Sequence, residues 1–249
     1  MGWVKLVALA GMISCLPSCA EGGGDGLGNF PRAPDEARDD RIQGDEGLGE
    51  PLQPPDFESR AKWVVELFGH KISIPSRRVV YLIDRSGSMG YGSGWGPCGG
   101  SPMMGSRWDR AVDNVIESIS TLPEDARFNV ITYNCSVDQW SVDTQFATEP
   151  NRLALESWLL GQFPYGGTGT GMAVAPALEE REVLTVLLVT DGQPNCGATG
   201  TEGHLDLILE ANDQEAAVYT FGIEAYGRFE EFLLDVATLT GGVYYPVGH

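Results

Sequence analysis

The sequence predicts an α/β fold: a doubly wound, mostly parallel sheet with helices on both faces and one antiparallel edge strand. Two observations carry this. Continuous apolar runs, notably Val79-Val80-Tyr81-Leu82-Ile83 and Val186-Leu187-Leu188-Val189, have the character of strands covered on both faces. Between such runs lie segments whose apolar residues recur at helical spacing, and strand–helix alternation is how a chain builds a parallel sheet with crossover helices.

In chain order, residues 63–68 and 71–74 read as a lead-in hairpin, and 79–84 as the first core strand. A Gly-rich loop, 90–105, follows. Trp108, Ala111, Val112, Val115, Ile116, Ile119 and Leu122 share one helical stripe, which Pro123 stops. Residues 128–133 form a second apolar strand, and 137–142 return antiparallel beside it. Thr148-Glu149-Pro150 opens a helix carrying Leu155, Trp158 and Leu159, which closes at Gly161. The Gly-rich segment 165–171 leads into a helix at 172–180, where Pro176 implies either a kink or a later start. Residues 183–190 are the most apolar strand. A helix at 204–211, a strand at 217–221, a helix at 229–239 capped by Gly241-Gly242, and a closing strand at 243–245 complete the chain. Trp108, Trp158, Phe229 and Phe232 lie at helical core spacing and call for no role beyond packing.

The 249 residues divide into three regions. Residues 1–20 read as an export signal, with Lys5 ahead of an apolar stretch too short to span a bilayer. Two cleavage readings compete. Leu16-Pro17-Ser18-Cys19 resembles a bacterial lipobox that would leave Cys19 lipidated, the favoured reading, while Ser18-Cys19-Ala20 fits ordinary signal cleavage. Residues 21–56 are an acidic, Gly/Pro-rich stretch with too little apolar surface to offset its ordering entropy, so a disordered tether is expected. Residues 57–249 form the folded domain, with the hairpin inside 57–75 and the core at 79–246. This organisation places the domain outside the cytoplasm, in a cell envelope, and touching a membrane only through the lipid. No second long apolar run follows, so no membrane span is expected. The net charge of −19, much of it in residues 21–56, argues against a phosphate-neutralising surface, so nucleic acid is not an expected partner.

The chemistry concentrates at strand ends. Asp84-Arg85-Ser86-Gly87-Ser88 closes the first core strand with a carboxylate and two alternating hydroxyls. Hard oxygens at fixed positions suit Mg²⁺, Mn²⁺ or Ca²⁺. Asp191 ends the 183–190 strand. If the winding reverses between these two strands, they are neighbours at the switch point and their aspartates face one crevice. Between them in sequence lies Gly166-Gly167-Thr168-Gly169-Thr170-Gly171, whose glycines allow a backbone and a hydroxyl to approach closely.

Asp-x-Ser-x-Ser, then Gly-Gly-Thr, then Thr-Asp-Gly after an apolar strand resembles the von Willebrand factor A (VWA) family, over nearly all of the folded part. The resemblance implies a Rossmann-like domain with a metal-ion-dependent adhesion site. Asp84, Ser86 and Ser88 match its first loop, Thr168 its second and Asp191 its third. Thr170 is the alternative to Thr168, which fits better directly after Gly-Gly. An incoming Asp or Glu from a partner protein would complete the ion's shell.

Three cysteines follow the leader: Cys98, Cys135 and Cys196. Cys98 and Cys196 lie on loops leaving adjacent strands at one edge, and a disulfide between them is the favoured pairing, with Cys135 as competitor. Tyr91, Trp95, Met103 and Met104 in the 90–105 loop make it either a specificity loop or an insertion folded back on the domain. The leading function is an envelope-tethered, non-enzymatic adhesion module. Its alternatives are a structural platform in an envelope complex and a metal-dependent hydrolase, which would need a general base near the ion.

Overall fold

The computed structural model describes residues 63–91 and 105–248. The expected leader with Cys19, the expected tether and the segment bearing Cys98 lie outside the described residues. The chain begins with a hairpin, β1 (Trp63–Leu67) and β2 (His70–Ile74). Alternation places Val65, Leu67, Ile72 and Ile74 on its buried face. Its turn needs positive φ at both Phe68 (50°) and Gly69 (76°), the geometry that matches strand twist in a tight hairpin. A phenylalanine is unusual there; its ring packs against Phe221 at 5.7 Å.

The main sheet follows. Its strands are β3 (Arg78–Asp84), β4 (Arg127–Tyr133), β5 (Val137–Gln139), β6 (Gln145–Phe146), β7 (Thr185–Thr190), β8 (Ala217–Ile223) and β9 (Tyr244–Val247). The order is β5-β4-β3-β7-β8-β9, with β6 also on β4. The contacts of β3 with β4 and β7, of β7 with β8, and of β8 with β9 are all parallel. The antiparallel edge is two short pieces, β5 and β6, rather than one strand running to residue 142.

Among the described residues five α-helices cover the sheet: α1 (Arg107–Ser120), α2 (Glu149–Leu160), α3 (Thr170–Glu179), α4 (Gly200–Glu210) and α5 (Arg228–Leu239). The hairpin, α1 and α2 pack on one face, through Trp108, Val112, Ile119, Leu155 and Leu159. Helices α3, α4 and α5 pack on the other, through Val174, Ile208, Phe232 and Val236. Phe229, expected in the core, stands at the surface at 37% exposure. Helix α3 starts earlier than expected, at Thr170, and keeps Pro176 within it.

The winding moves from β3 through α1 to β4, then crosses to β7 on the other side of β3. The switch point therefore falls between β3 and β7, as expected. Among the described residues no helix is long and apolar enough to cross a membrane.

Candidate functional site

Parallel pairing of Ile83 with Val189 brings the last residues of β3 and β7 level. Asp84, fully buried, has its Oδ1 bonded by the Ser86 N–H at 2.7 Å and its Oδ2 by the Thr190 hydroxyl at 2.5 Å. Beyond it the chain makes a 3₁₀ turn, Gly87–Gly90, pinned by the buried side chain of Met89. That turn stands the Ser88 hydroxyl over the crevice. It donates to Asp191 Oδ1 at 2.8 Å, and the Ser86 and Ser88 hydroxyls lie 3.1 Å apart. Four of the five residues singled out from sequence thus form one connected set of oxygens.

Thr168 arrives on its own loop. The Gly87 N–H donates to the Gly166 carbonyl at 3.0 Å, docking that loop on the first. Thr168 is nearly fully buried. Thr170 is the first residue of α3, its hydroxyl 3.5 Å from that of Tyr133.

The electrostatics are those of crowded negative charge. Burial, reinforced by the neighbouring charge of Asp191, pushes the Asp84 carboxyl up to about 7. Burial also raises Asp191, against the pull of Ser88 and Arg107. Arg107 was not singled out from sequence. Its Nη1 donates to Asp191 Oδ2 at 2.6 Å and its Nε to Glu224 Oε2 at 2.9 Å, and Arg110 meets the other Glu224 oxygen at 2.9 Å. One signal was available. Arg107 opens α1, where a cation runs against the helix dipole, so another partner was to be looked for. Arg85 pairs with Asp138 and lies over the Tyr165 ring at 5.0 Å.

The cysteine pairing expected from sequence is corrected here: Cys135, not Cys98, is bonded to Cys196, with Cα atoms 5.7 Å apart. Strand adjacency favoured Cys98, because β3 separates β4 from β7. The loops leaving β4 and β7 instead bend inwards over the end of β3 and meet across the Thr168 loop.

Among the described residues no group of three or more His, Cys, Asp or Glu side chains forms a metal cluster. A cation here would rely on two carboxylates plus hydroxyls. That all-oxygen donor set fits a hard divalent ion.

The von Willebrand factor type A domain family matches residues 79–243, more than half of the chain, and the chain belongs to that family. Domains of this kind are typically metal-dependent modules for protein interaction and adhesion, mainly non-enzymatic. The chain is 26% identical over 195 residues to human von Willebrand factor A domain-containing protein 3B, covering 76% of this chain and 15% of that protein. It is 24% identical over 184 residues to mouse inter alpha-trypsin inhibitor heavy chain 4, covering 68% and 18%. It therefore spans less than a fifth of the length of either relative. A von Willebrand factor type A structure from Catenulispora acidiphila matches with a TM-score of 0.58 at 19% identity, over 71% of this chain and 39% of that one; this likeness shows the fold.

Proposed function

We propose that this chain is a metal-ion-dependent binding module whose divalent cation is held by Asp84, Ser86, Ser88, Thr168 and Asp191. The supporting observation is the convergence of two buried carboxylates and the Ser86 and Ser88 hydroxyls at the switch point between β3 and β7. Hard oxygen donors favour Mg²⁺, with Mn²⁺ and Ca²⁺ as alternatives. When bound, the ion supplies an electrophilic position for a carboxylate from a partner protein.

The chain's own residues prepare that position. The Ser86 N–H and the Thr190 hydroxyl fix the Asp84 carboxylate. Ser88 and Arg107 hold one oxygen each of Asp191, setting its orientation.

The domain is displayed outside the cytoplasm, on the tether of residues 21–56 and, in the favoured reading, on a lipid at Cys19. The Cys135–Cys196 disulfide supports this, since such bonds persist in oxidising compartments.

The test is capture of envelope proteins on immobilised wild-type domain and on Asp84→Ala, in Mg²⁺ and then in EDTA. Retention that needs both Mg²⁺ and Asp84 is expected. Retention equal in EDTA contradicts metal-gated recognition and favours a structural platform.

A further inference from the structure

The segment Gly167-Thr168-Gly169 runs through a slot between two other loops, and the backbone of Thr168 is bonded to one of its walls. The Thr168 N–H donates to Asn195 Oδ1 at 2.9 Å. The Thr168 carbonyl accepts from the N–H groups of Asn195 at 2.8 Å and Cys196 at 3.2 Å. On the opposite wall, the Gly169 N–H donates to the Asn134 carbonyl at 2.8 Å. Asn134 also donates from Nδ2 to the Tyr165 carbonyl at 3.1 Å, at the entrance of the loop. The Asn134 side chain is itself fixed, because its Oδ1 accepts from the Ser136 N–H at 2.8 Å.

Cys135–Cys196 ties the two walls together. It lies directly on the backbone of the residue before Thr168. A Cβ added to Gly167 would stand 2.9 Å from Cys135 Sγ and 3.2 Å from Cys196 Sγ. The walls are extensions of β4 and β7, which are not sheet neighbours. Two strand spacings put such strands about 10 Å apart. Loop hydrogen bonds of this kind open locally at little free-energy cost. A covalent bond across the slot removes that freedom.

We propose that the Cys135–Cys196 disulfide is a clamp that positions Thr168 for the cation, so that opening it weakens divalent-ion binding while the sheet stays folded. This rests on the cation-site reading above. Cys135 is exposed and Cys196 half-buried, so a small dithiol reaches the bond. One thiolate of the dithiol attacks a sulfur and the S–S bond breaks. The second thiolate resolves the mixed disulfide. Two electrons and two protons end on Cys135 and Cys196, and the dithiol leaves as a cyclic disulfide.

The experiment compares oxidised, dithiol-reduced and reoxidised protein, with Cys135→Ala/Cys196→Ala as a permanently open form. Amide hydrogen exchange is read in EDTA, and Mg²⁺ affinity by calorimetry after the dithiol is removed. Exchange at the Thr168 and Gly169 amides is expected to rise about tenfold or more on opening, with β3 and β7 amides unchanged. The Kd for Mg²⁺ is expected to rise about tenfold, the scale seen when an outer-shell support is lost, and reoxidation restores both. Unchanged exchange at those two amides, or an unchanged Kd, overturns the clamp. If oxidised wild type binds no Mg²⁺, the cation-site reading fails, while the exchange arm in EDTA still decides whether the disulfide holds the loop. Should the alanine pair fail to fold, reduced wild type supplies the same comparison.

Discussion

At the scale of single residues, the site gathers more negative charge than its polar contacts neutralise. Among the described residues Asp84 has hydrogen bonds but no ion pair, whereas Asp191 shares Arg107 with Glu224. Removing that guanidinium leaves the nearly buried Asp191 carboxylate without its counter-charge. We predict that Arg107→Ala lowers the stability of the metal-free domain by roughly 2–3 kcal/mol, the cost of stranding a buried charged group. Urea unfolding in EDTA checks this, and an unchanged midpoint refutes it. A second residue sets a pH dependence away from the site. His204 is buried in α4, its Nδ1 accepting from the Gly171 N–H at 2.9 Å, and burial holds its pKa below the ordinary 6.5. As the pH falls below about 6.5 the unfolded chain therefore takes up a proton that the folded one refuses. Stability is full above about 6.5 and falls as the pH drops below it, a slope that His204→Leu should flatten. Equal slopes for the two proteins count against this. That Asp84, Ser86, Ser88 and Asp191 meet at one crevice was legible because they sit in short local patterns at strand ends. The contacts of Arg107 and of the Thr190 hydroxyl were not, because they depend on which elements become neighbours.

At the scale of elements, helix α1 shows how a local rule fixes a site boundary. Ser106 caps it, accepting from the Asp109 N–H at 3.1 Å, while Asp109 accepts from the Ser106 N–H at 3.1 Å. Arg107 lies inside this capping box, between Ser106 and Asp109, so the box sets where the guanidinium emerges. Ser106→Ala is predicted to cost about 1 kcal/mol, read as a lowered urea midpoint at constant m; a midpoint within error of wild type speaks against it. The apolar stripe from Trp108 marks the body of this helix, and Ser106-x-x-Asp109 is the local signal that marks its start. Helix α3 shows the opposite limit. Pro176 implied a later start or a kink, but tertiary packing on the β3/β7 face sustains a helix from Thr170. The disulfide departs from strand adjacency for a related reason: the loops that leave β4 and β7 fold inwards around the glycine-rich segment at Gly167. Closing a loop over a sequence separation of 61, the bond is predicted to contribute roughly 2–4 kcal/mol, measured as the loss in Cys135→Ala/Cys196→Ala.

At the scale of the whole molecule, the two faces of the sheet have separate cores, and the candidate site lies beyond the carboxyl ends of the central strands β3 and β7, where the winding reverses. This is why the fold was legible: buried strands and amphipathic helices write their periodicity into the chain, and the reversal of winding fixes where the strand-end aspartates meet. The identity of a partner was not legible, because the proposed ion's ligands are short motifs that carry no record of the surfaces around them. On the proposed function this crevice holds a divalent cation. The most direct test of this is calorimetric titration of the oxidised domain with Mg²⁺, alongside Asp84→Ala. Saturable binding at one site in the wild type is predicted, lost in Asp84→Ala while the circular dichroism spectrum stays native. Superimposable titrations of the two proteins would contradict it.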